Sequence, residues 1–366
     1  MTRRNFLKLG AAASLSGGFY GCAPCAAGFP PNLAMPVFYG YKEYVINVHN
    51  NQNPIPIARV FYPTIDGTPP GAAILTDCEQ FPLVLLIHGD CPGVDPYIQW
   101  IYFAGQLARA GYVVAVTAAG GFLATGDPSE LADLQRAHDY MRNSWEYRAT
   151  LMPSPNTAVA GQSFGGTAAA ELAGVLPLKA FVGLSGTFGQ VTGSLSVQAL
   201  LANIRVPSLF LWNHNDDPWV DAEMYRPDEP LAGQMWSFVG APKHGVVFAN
   251  GAHADYLLPG TSGGCGQGDC NLVRPLAVDL TTTFLTKYLP PQGAGAIPQS
   301  VPDSLFVRPQ DLPPPPNNGF YAGAYLGGLA SSKQVSDRPD PEKQPCFEQL
   351  FWETSASQST TYLIPA

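Results

Sequence analysis

The feature that most constrains this chain is a series of short apolar runs that do not alternate. Residues 81–87, 112–117, 157–160, 180–184 and 208–212 are each almost wholly aliphatic, aromatic or small. A strand with one face in water alternates apolar and polar residues, whereas an unbroken apolar run of this length fits a strand buried on both faces. The segments between them read differently. Residues 97–110 carry helical periodicity and stop at Gly111, residues 131–145 have one charged and one apolar face, and residues 167–176 are small and helix-forming. Ahead of the runs, residues 44–48 and 57–62 alternate, as antiparallel edge strands do. Residues 246–249 supply a further strand. This alternation predicts an α/β fold: a mostly parallel central sheet with helices on both faces. In such sheets the reactive groups collect beyond the carboxyl ends of the strands.

The chain has 366 residues, more than one average domain, which fits one α/β core with an appendage. Three parts are expected: residues 1–27 as an export signal, 37–289 as the strand–helix core, and 290–366 as a Pro-rich linker and C-terminal appendage. Within that tail, residues 320–329 and 347–352 are apolar enough to pack back onto the body. Charged residues make up only 13% and the net charge is −9, with no basic run or basic face, so nucleic acid is excluded as a partner.

The chain opens Thr2-Arg3-Arg4-Asn5-Phe6-Leu7-Lys8, followed by a mildly apolar stretch rich in glycine and alanine. This resembles a twin-arginine export signal. The stretch is too short and too glycine-rich for a permanent membrane span. The resemblance implies a periplasmic, extracellular or surface-anchored protein. Cys22 follows Phe19-Tyr20-Gly21, an imperfect lipobox, and a lipid on it would be the only membrane attachment. The other six cysteines are Cys25, Cys78, Cys91, Cys265, Cys270 and Cys346. An even number suits disulfides in an oxidising compartment, with the pairing left open; without the lipid, one thiol is left over. Cys265 and Cys270 would close a short loop. With no histidine or second Cys-x-x-Cys beside them, no metal site is expected there.

The short run 157–160 leads directly into Gly161-Gln162-Ser163-Phe164-Gly165-Gly166 and then into a helix. A serine between strand and helix, flanked by glycines two residues to either side, is the nucleophile-elbow pattern. The tight turn strains the serine backbone and leaves no room for neighbouring side chains. It also points the free N–H groups of a helix start at the reacting carbonyl. A serine hydroxyl needs a histidine base, and that histidine an orienting carboxylate. In this arrangement they follow in the order Ser, Asp or Glu, His. His253, in Gly251-Ala252-His253, follows the strand at 246–249, whereas His244 precedes it and belongs at the opposite end of the sheet. The acid belongs after the strand at 208–212, where Asn213-His214-Asn215-Asp216-Asp217-Pro218 stands. Asp216 has the better spacing, and Asp217 precedes a proline that favours extended backbone. His214 reads as a loop residue.

The oxyanion of acyl transfer needs two N–H donors. One is that of Phe164, after the nucleophile. The other belongs to the loop after His88-Gly89: Asp90 through its backbone, or Cys91. His88 itself is expected to shape that loop. Gln162, Tyr97, Trp100, Phe122, Phe164, Phe188 and Trp219 are the residues expected around the substrate.

Five segments carry a family resemblance: residues 83–89, 107–114, 160–166, 209–216 and 251–253. On these the chain resembles the α/β-hydrolase superfamily. It is similar to the branch of polyester hydrolases (cutinase-like and PET-hydrolase-like), platelet-activating-factor acetylhydrolases and dienelactone hydrolases. The resemblance covers roughly residues 44–289. It implies a serine hydrolase acting on carboxylic esters through an acyl-enzyme, with no cofactor and no metal. The substrate would be a small-molecule, lipid or polymeric ester with an apolar or aromatic acyl group. Gln162 stands where many polyester hydrolases have His or Trp, the serine departs from the cysteine of dienelactone hydrolases, and residues 290–366 have no counterpart. An amidase or peptidase on the same fold, or a catalytically silent binding protein, would share the framework.

Overall fold

The structure is a computed structural model. It describes residues 38–45, 56–64, 73–75, 80–89, 96–117, 128–188, 196–215, 238–240, 242–258, 273–291, 347–355 and 358–363. The unbroken apolar runs become adjacent strands: β3 (Leu83–Ile87), β4 (Val113–Thr117), β5 (Thr157–Gln162), β6 (Ala180–Leu184) and β7 (Ser208–Asn215). Every residue of β3 to β6 is buried, which is why these runs carry no polar alternation. With β8 (Lys243–Ala252) they form a parallel core ordered β4-β3-β5-β6-β7-β8. On one side β2 (Pro56–Thr64) pairs antiparallel with β4, and β1 (Phe38–Val45) antiparallel with β2. The run at 57–62 becomes β2, antiparallel but interior, between β1 and β4; the outermost β1 takes in only Tyr44 and Val45 of the run expected at 44–48, whose other residues lie outside the described ones.

Odd and even residues of the core strands face different helices. Val84, Leu86, Val114 and Val116 join Trp100, Phe103 and Leu107, together with Val278, Phe284 and Leu285. These belong to α2 (Ile101–Arg109), or stand just before it, and to α6 (Val273–Tyr288), which follow α1 (Pro96–Gln99). Leu83, Leu85, Ile87, Val113 and Ala115 face the other way. They meet Leu134 and Met141 of α3 (Pro128–Asn143), Ala168 to Leu172 of α4 (Phe164–Val175), and Leu200 and Leu201 of α5 (Val197–Ala202). Each fully buried Val, Leu or Ile contributes about 1.5–3 kcal/mol. The two layers thus bury both faces of one sheet.

Three departures from the sequence reading have physical causes. The helix expected over 97–110 is split at Trp100, whose backbone (φ −98°, ψ 0°) leaves the helical region. Its indole is fully buried, edge-on to Phe103. The helix α6 was not foreseen, because Pro275 stands in its first turn. A first-turn N–H has no intrahelical partner, so a proline there costs little. The C-terminal tail contributes β9 (Phe347–Ser355), antiparallel to β8, and β10 (Gln358–Leu363), antiparallel to β9. The last part of the appendage thus extends the central sheet to ten strands. Among the described residues no helix is long and apolar enough to cross a membrane. Residues 1–37, all seven cysteines and residues 292–346 lie outside the described residues.

The chain runs from β3 to β4 on one side and then returns to place β5 on the other side of β3. That reversal is the switch point of the sheet, at the carboxyl ends of β3 and β5, where Ile87 pairs with Gly161 and where ligands of such sheets bind. The sheet beneath it is locked by an aromatic cluster in which Phe210 stacks on Trp212 at 5.4 Å and meets Phe181 at 5.4 Å and Phe188 at 5.9 Å. Replacing Phe210 by alanine removes the centre of that cluster, and the unfolding free energy in urea is expected to fall by about 3–5 kcal/mol. A loss below about 1 kcal/mol would mean that the site collapses around the deletion.

Candidate functional site

Ser163 stands at the β3–β5 reversal. Strand β5 turns into α4 at this residue, with φ 57° and ψ −129°, a left-handed conformation rare for any side chain but glycine. The flanking glycines explain how the turn closes. A Cβ at Gly161 would stand 2.0 Å from the Gly165 carbonyl oxygen, and one at Gly165 would stand 2.3 Å from the carbonyl oxygen of His88. The turn is held by its own backbone: the Ser163 N–H donates to Leu184 (3.0 Å), and its carbonyl accepts from Gly166 (2.9 Å) and Thr187 (3.2 Å). Gly166 is thereby turned back on the serine, which leaves Phe164 and Gly165 to open the helix with N–H groups that have no intrahelical partner. Ser163 is 5% exposed and the Phe164 side chain half-buried.

The loop after β3 presses against Ser163. A Cβ at Gly89 would lie 2.6 Å from the Ser163 Cβ and 2.3 Å from Gln162 Oε1. His88 Nδ1 lies 2.7 Å from the Gly89 carbonyl oxygen, so its ring braces the loop. Asp90 and Cys91 fall just past the described residues.

His253 begins the turn that follows β8. Strands β5 and β8 are separated by β6 and β7, about 14 Å in the sheet plane at the usual strand spacing. The turn nevertheless comes back to the elbow, because Gln162 Nε2 donates to the His253 carbonyl at 3.1 Å. Asn213 Nδ2 donates to the Ala252 carbonyl (2.9 Å), which also accepts from the Asp255 N–H (3.0 Å). The Ala252 N–H donates to Asp255 Oδ2 (2.7 Å). Ser185 Oγ donates to the Tyr256 hydroxyl (3.1 Å), and the Leu258 N–H to the Gln99 carbonyl (2.9 Å). His244, by contrast, stands at the start of β8, at the far end of the sheet, with Nε2 3.1 Å from the Tyr288 hydroxyl.

The structure thus places Ser163, Phe164, Gln162 and His253 at the carboxyl ends of the parallel strands, with Gln162 bonded to the His253 carbonyl. Three residues expected at the substrate have other places. Gln162 is fully buried and its amide holds the His253 turn. Phe188 is 1% exposed and packs edge-on against Phe210, which makes it a core residue. Trp100 is core as well. Asp216, Asp217, Trp219 and Phe122, and the side chain of Tyr97, lie outside the described residues. Sequence reasoning missed Ser185, Asn213, Asp255 and Tyr256. The available signal was a polar residue where an apolar run ends, as at Ser185 after β6 and Asn213 within β7. Among the described residues no group of three or more His, Cys, Asp or Glu side chains is placed to hold a metal ion.

No protein-family model matches the chain, and no curated protein matches it.

The strain at Ser163 has a measurable consequence. Glycine takes this backbone conformation freely, whereas alanine keeps the strain. Ser163→Gly is therefore expected to be more stable to guanidinium than Ser163→Ala by about 1 kcal/mol, after the loss glycine brings through the unfolded chain. Equal or reversed stabilities would show a relaxed turn.

Proposed function

We propose that this chain is an exported serine esterase of the α/β-hydrolase type, acting through an acyl-enzyme. The observation that carries the reading is the strained turn at Ser163, set where the strand order reverses, with the adjacent Gln162 hydrogen-bonded to the turn that bears His253. A serine in this setting suits a nucleophile, and the histidine whose backbone carbonyl is tied to the same elbow is its candidate base.

In the proposed cycle His253 takes the Ser163 hydroxyl proton as Oγ attacks the ester carbonyl. The tetrahedral oxyanion accepts from the N–H groups of Phe164 and Asp90, where fixed donors in a dry site stabilise developing charge by several kcal/mol. The intermediate collapses, and His253 returns the proton to the departing alkoxide. Water, deprotonated by the same histidine, then attacks the acyl-enzyme and frees the acid. Asp216 is the proposed orienting acid. Its support is register: Asn215, the last residue of β7, pairs with Ala252, so the chain leaves two parallel strands at one level as Asn215-Asp216 and Ala252-His253. The order Ser, Asp, His follows the expected sequence of such a triad.

Esters are preferred over amides because an alkoxide leaving group asks less of the acid step. The half-exposed Phe164 beside the nucleophile favours an apolar acyl group. Export, supported by the arginine pair Arg3-Arg4, favours a lipid or polymeric ester met outside the cell.

The test takes the chain from Cys25 onward and its Ser163→Ala variant on p-nitrophenyl esters of rising acyl length, beside p-nitroanilides. Ester turnover is expected to fall by at least about 10³-fold in the variant, with loss of fluorophosphonate labelling. Turnover of anilides alone would make the chain an amidase. Neither turnover nor labelling in the parent protein would reject a serine hydrolase.

A further inference from the structure

Three neighbouring strands send side chains into a single turn, the one that carries His253. Gln162, at the end of β5, holds the His253 carbonyl. Asn213, on β7, holds the Ala252 carbonyl at 2.9 Å and places the same Nδ2 3.4 Å from Ser185 Oγ. Ser185, just past β6, reaches Tyr256 at the far end of the turn. Ser185 and Tyr256 are fully buried and Asn213 is 2% exposed, so these bonds act where water does not compete. Two further details show a fitted assembly. Ser185 holds a positive φ of 47°, which is costly for a non-glycine residue. Gly251 leaves space that Asn213 fills, since a Cβ there would stand 2.1 Å from Asn213 Oδ1.

We infer that Asn213, together with the Ser185–Tyr256 hydrogen bond, forms a positioning clamp that fixes the His253 turn against the Ser163 elbow. The inference rests on the serine-hydrolase reading above. Its physical basis is distance. The turn belongs to a strand three places from the nucleophile's strand, so nothing in the sheet ladder itself sets where the imidazole stands relative to Ser163. The clamp does so by anchoring the residues on both sides of His253: Ala252 before it and Tyr256 after it. An imidazole that must accept a proton and return it along one line is sensitive to that placement, and a shift of about 1 Å costs on the order of 100-fold in rate. Their hydrogen bonds reach the turn at the Ala252 carbonyl and the Tyr256 hydroxyl, so they act through where the turn is held.

The test uses the chain from Cys25 onward carrying Asn213→Ala, Tyr256→Phe or both. Turnover of a p-nitrophenyl ester is divided by the number of serines titrated with a fluorophosphonate, which removes any effect of a smaller folded fraction. A positioning role predicts that kcat per titrated site falls between about 10- and 100-fold in each single variant, with KM within about twofold, because the lost interaction serves the transition state and not substrate binding. The double variant is expected to lose less than the product of the single losses, since both changes release the same turn. Tyr256→Phe keeps the ring and removes only the hydroxyl, so it carries the test if Asn213→Ala does not fold. Wild-type kcat per titrated site in the variants overturns the clamp while leaving the hydrolase reading intact. A parent protein that neither labels nor turns over ester overturns both.

Discussion

The candidate site depends on a close approach that only hydrogen permits. The end of β5 and the first turn of α4 come so near that Gly161 would drive a Cβ to within 2.0 Å of the Gly165 carbonyl oxygen. Without that contact the strand would need several residues to become a helix, and Ser163 would not be held at φ 57°. The same crowding reaches the loop after β3, where the His88 carbonyl backs Gly165 and Gly89 backs Ser163. One steric constraint therefore joins the two strands at the sheet's reversal point and sets the serine at their common mouth. The strain is of order 1–3 kcal/mol, small beside the burial of both sheet faces.

Around that mouth the chemistry of the interior changes. Below it the sheet is packed with Val, Leu, Ile and Phe and has few polar side chains. At the carboxyl ends Gln162, Ser185, Asn213, Asp255 and Tyr256 are all buried and hydrogen-bonded. Burying polar groups costs free energy unless each finds a partner, and a met network then specifies one arrangement more sharply than apolar packing does. These five residues surround or belong to the turn that bears His253. The β9–β10 hairpin, in contrast, joins through backbone pairing at the β8 edge. It lengthens the sheet on the side from which that turn departs.

Much of this was legible beforehand where local physics suffices. The runs in β3, β4 and β6 announced strands covered on both faces, because no polar residue interrupts them. The elbow was legible because glycine spacing around Ser163 reports backbone crowding directly. Gln162 was read as a substrate contact because its neighbour is the candidate nucleophile, but proximity in sequence says nothing about which way a side chain at a turn is aimed, and its amide donates to the His253 carbonyl. Phe188 was misread for a related reason, since an aromatic residue near a strand end serves a core or a crevice with the same composition. Trp100 broke a helix whose periodicity was continuous: its backbone leaves the helical region while its indole is fully buried against Phe103.

By itself, the sequence determined the layered α/β class, the parallel core and the turn at Ser163. Each of these follows from interactions among residues close along the chain: periodicity, strand burial and the steric demands of glycine. The tertiary structure alone decided that β9 and β10 extend the sheet, that Asn215 and Ala252 end level, and that Gln162, Asn213 and Ser185 converge on one turn. Those outcomes depend on pairing and packing between segments tens to more than a hundred residues apart, where a single amide or hydroxyl finds its partner only after the sheet has been ordered.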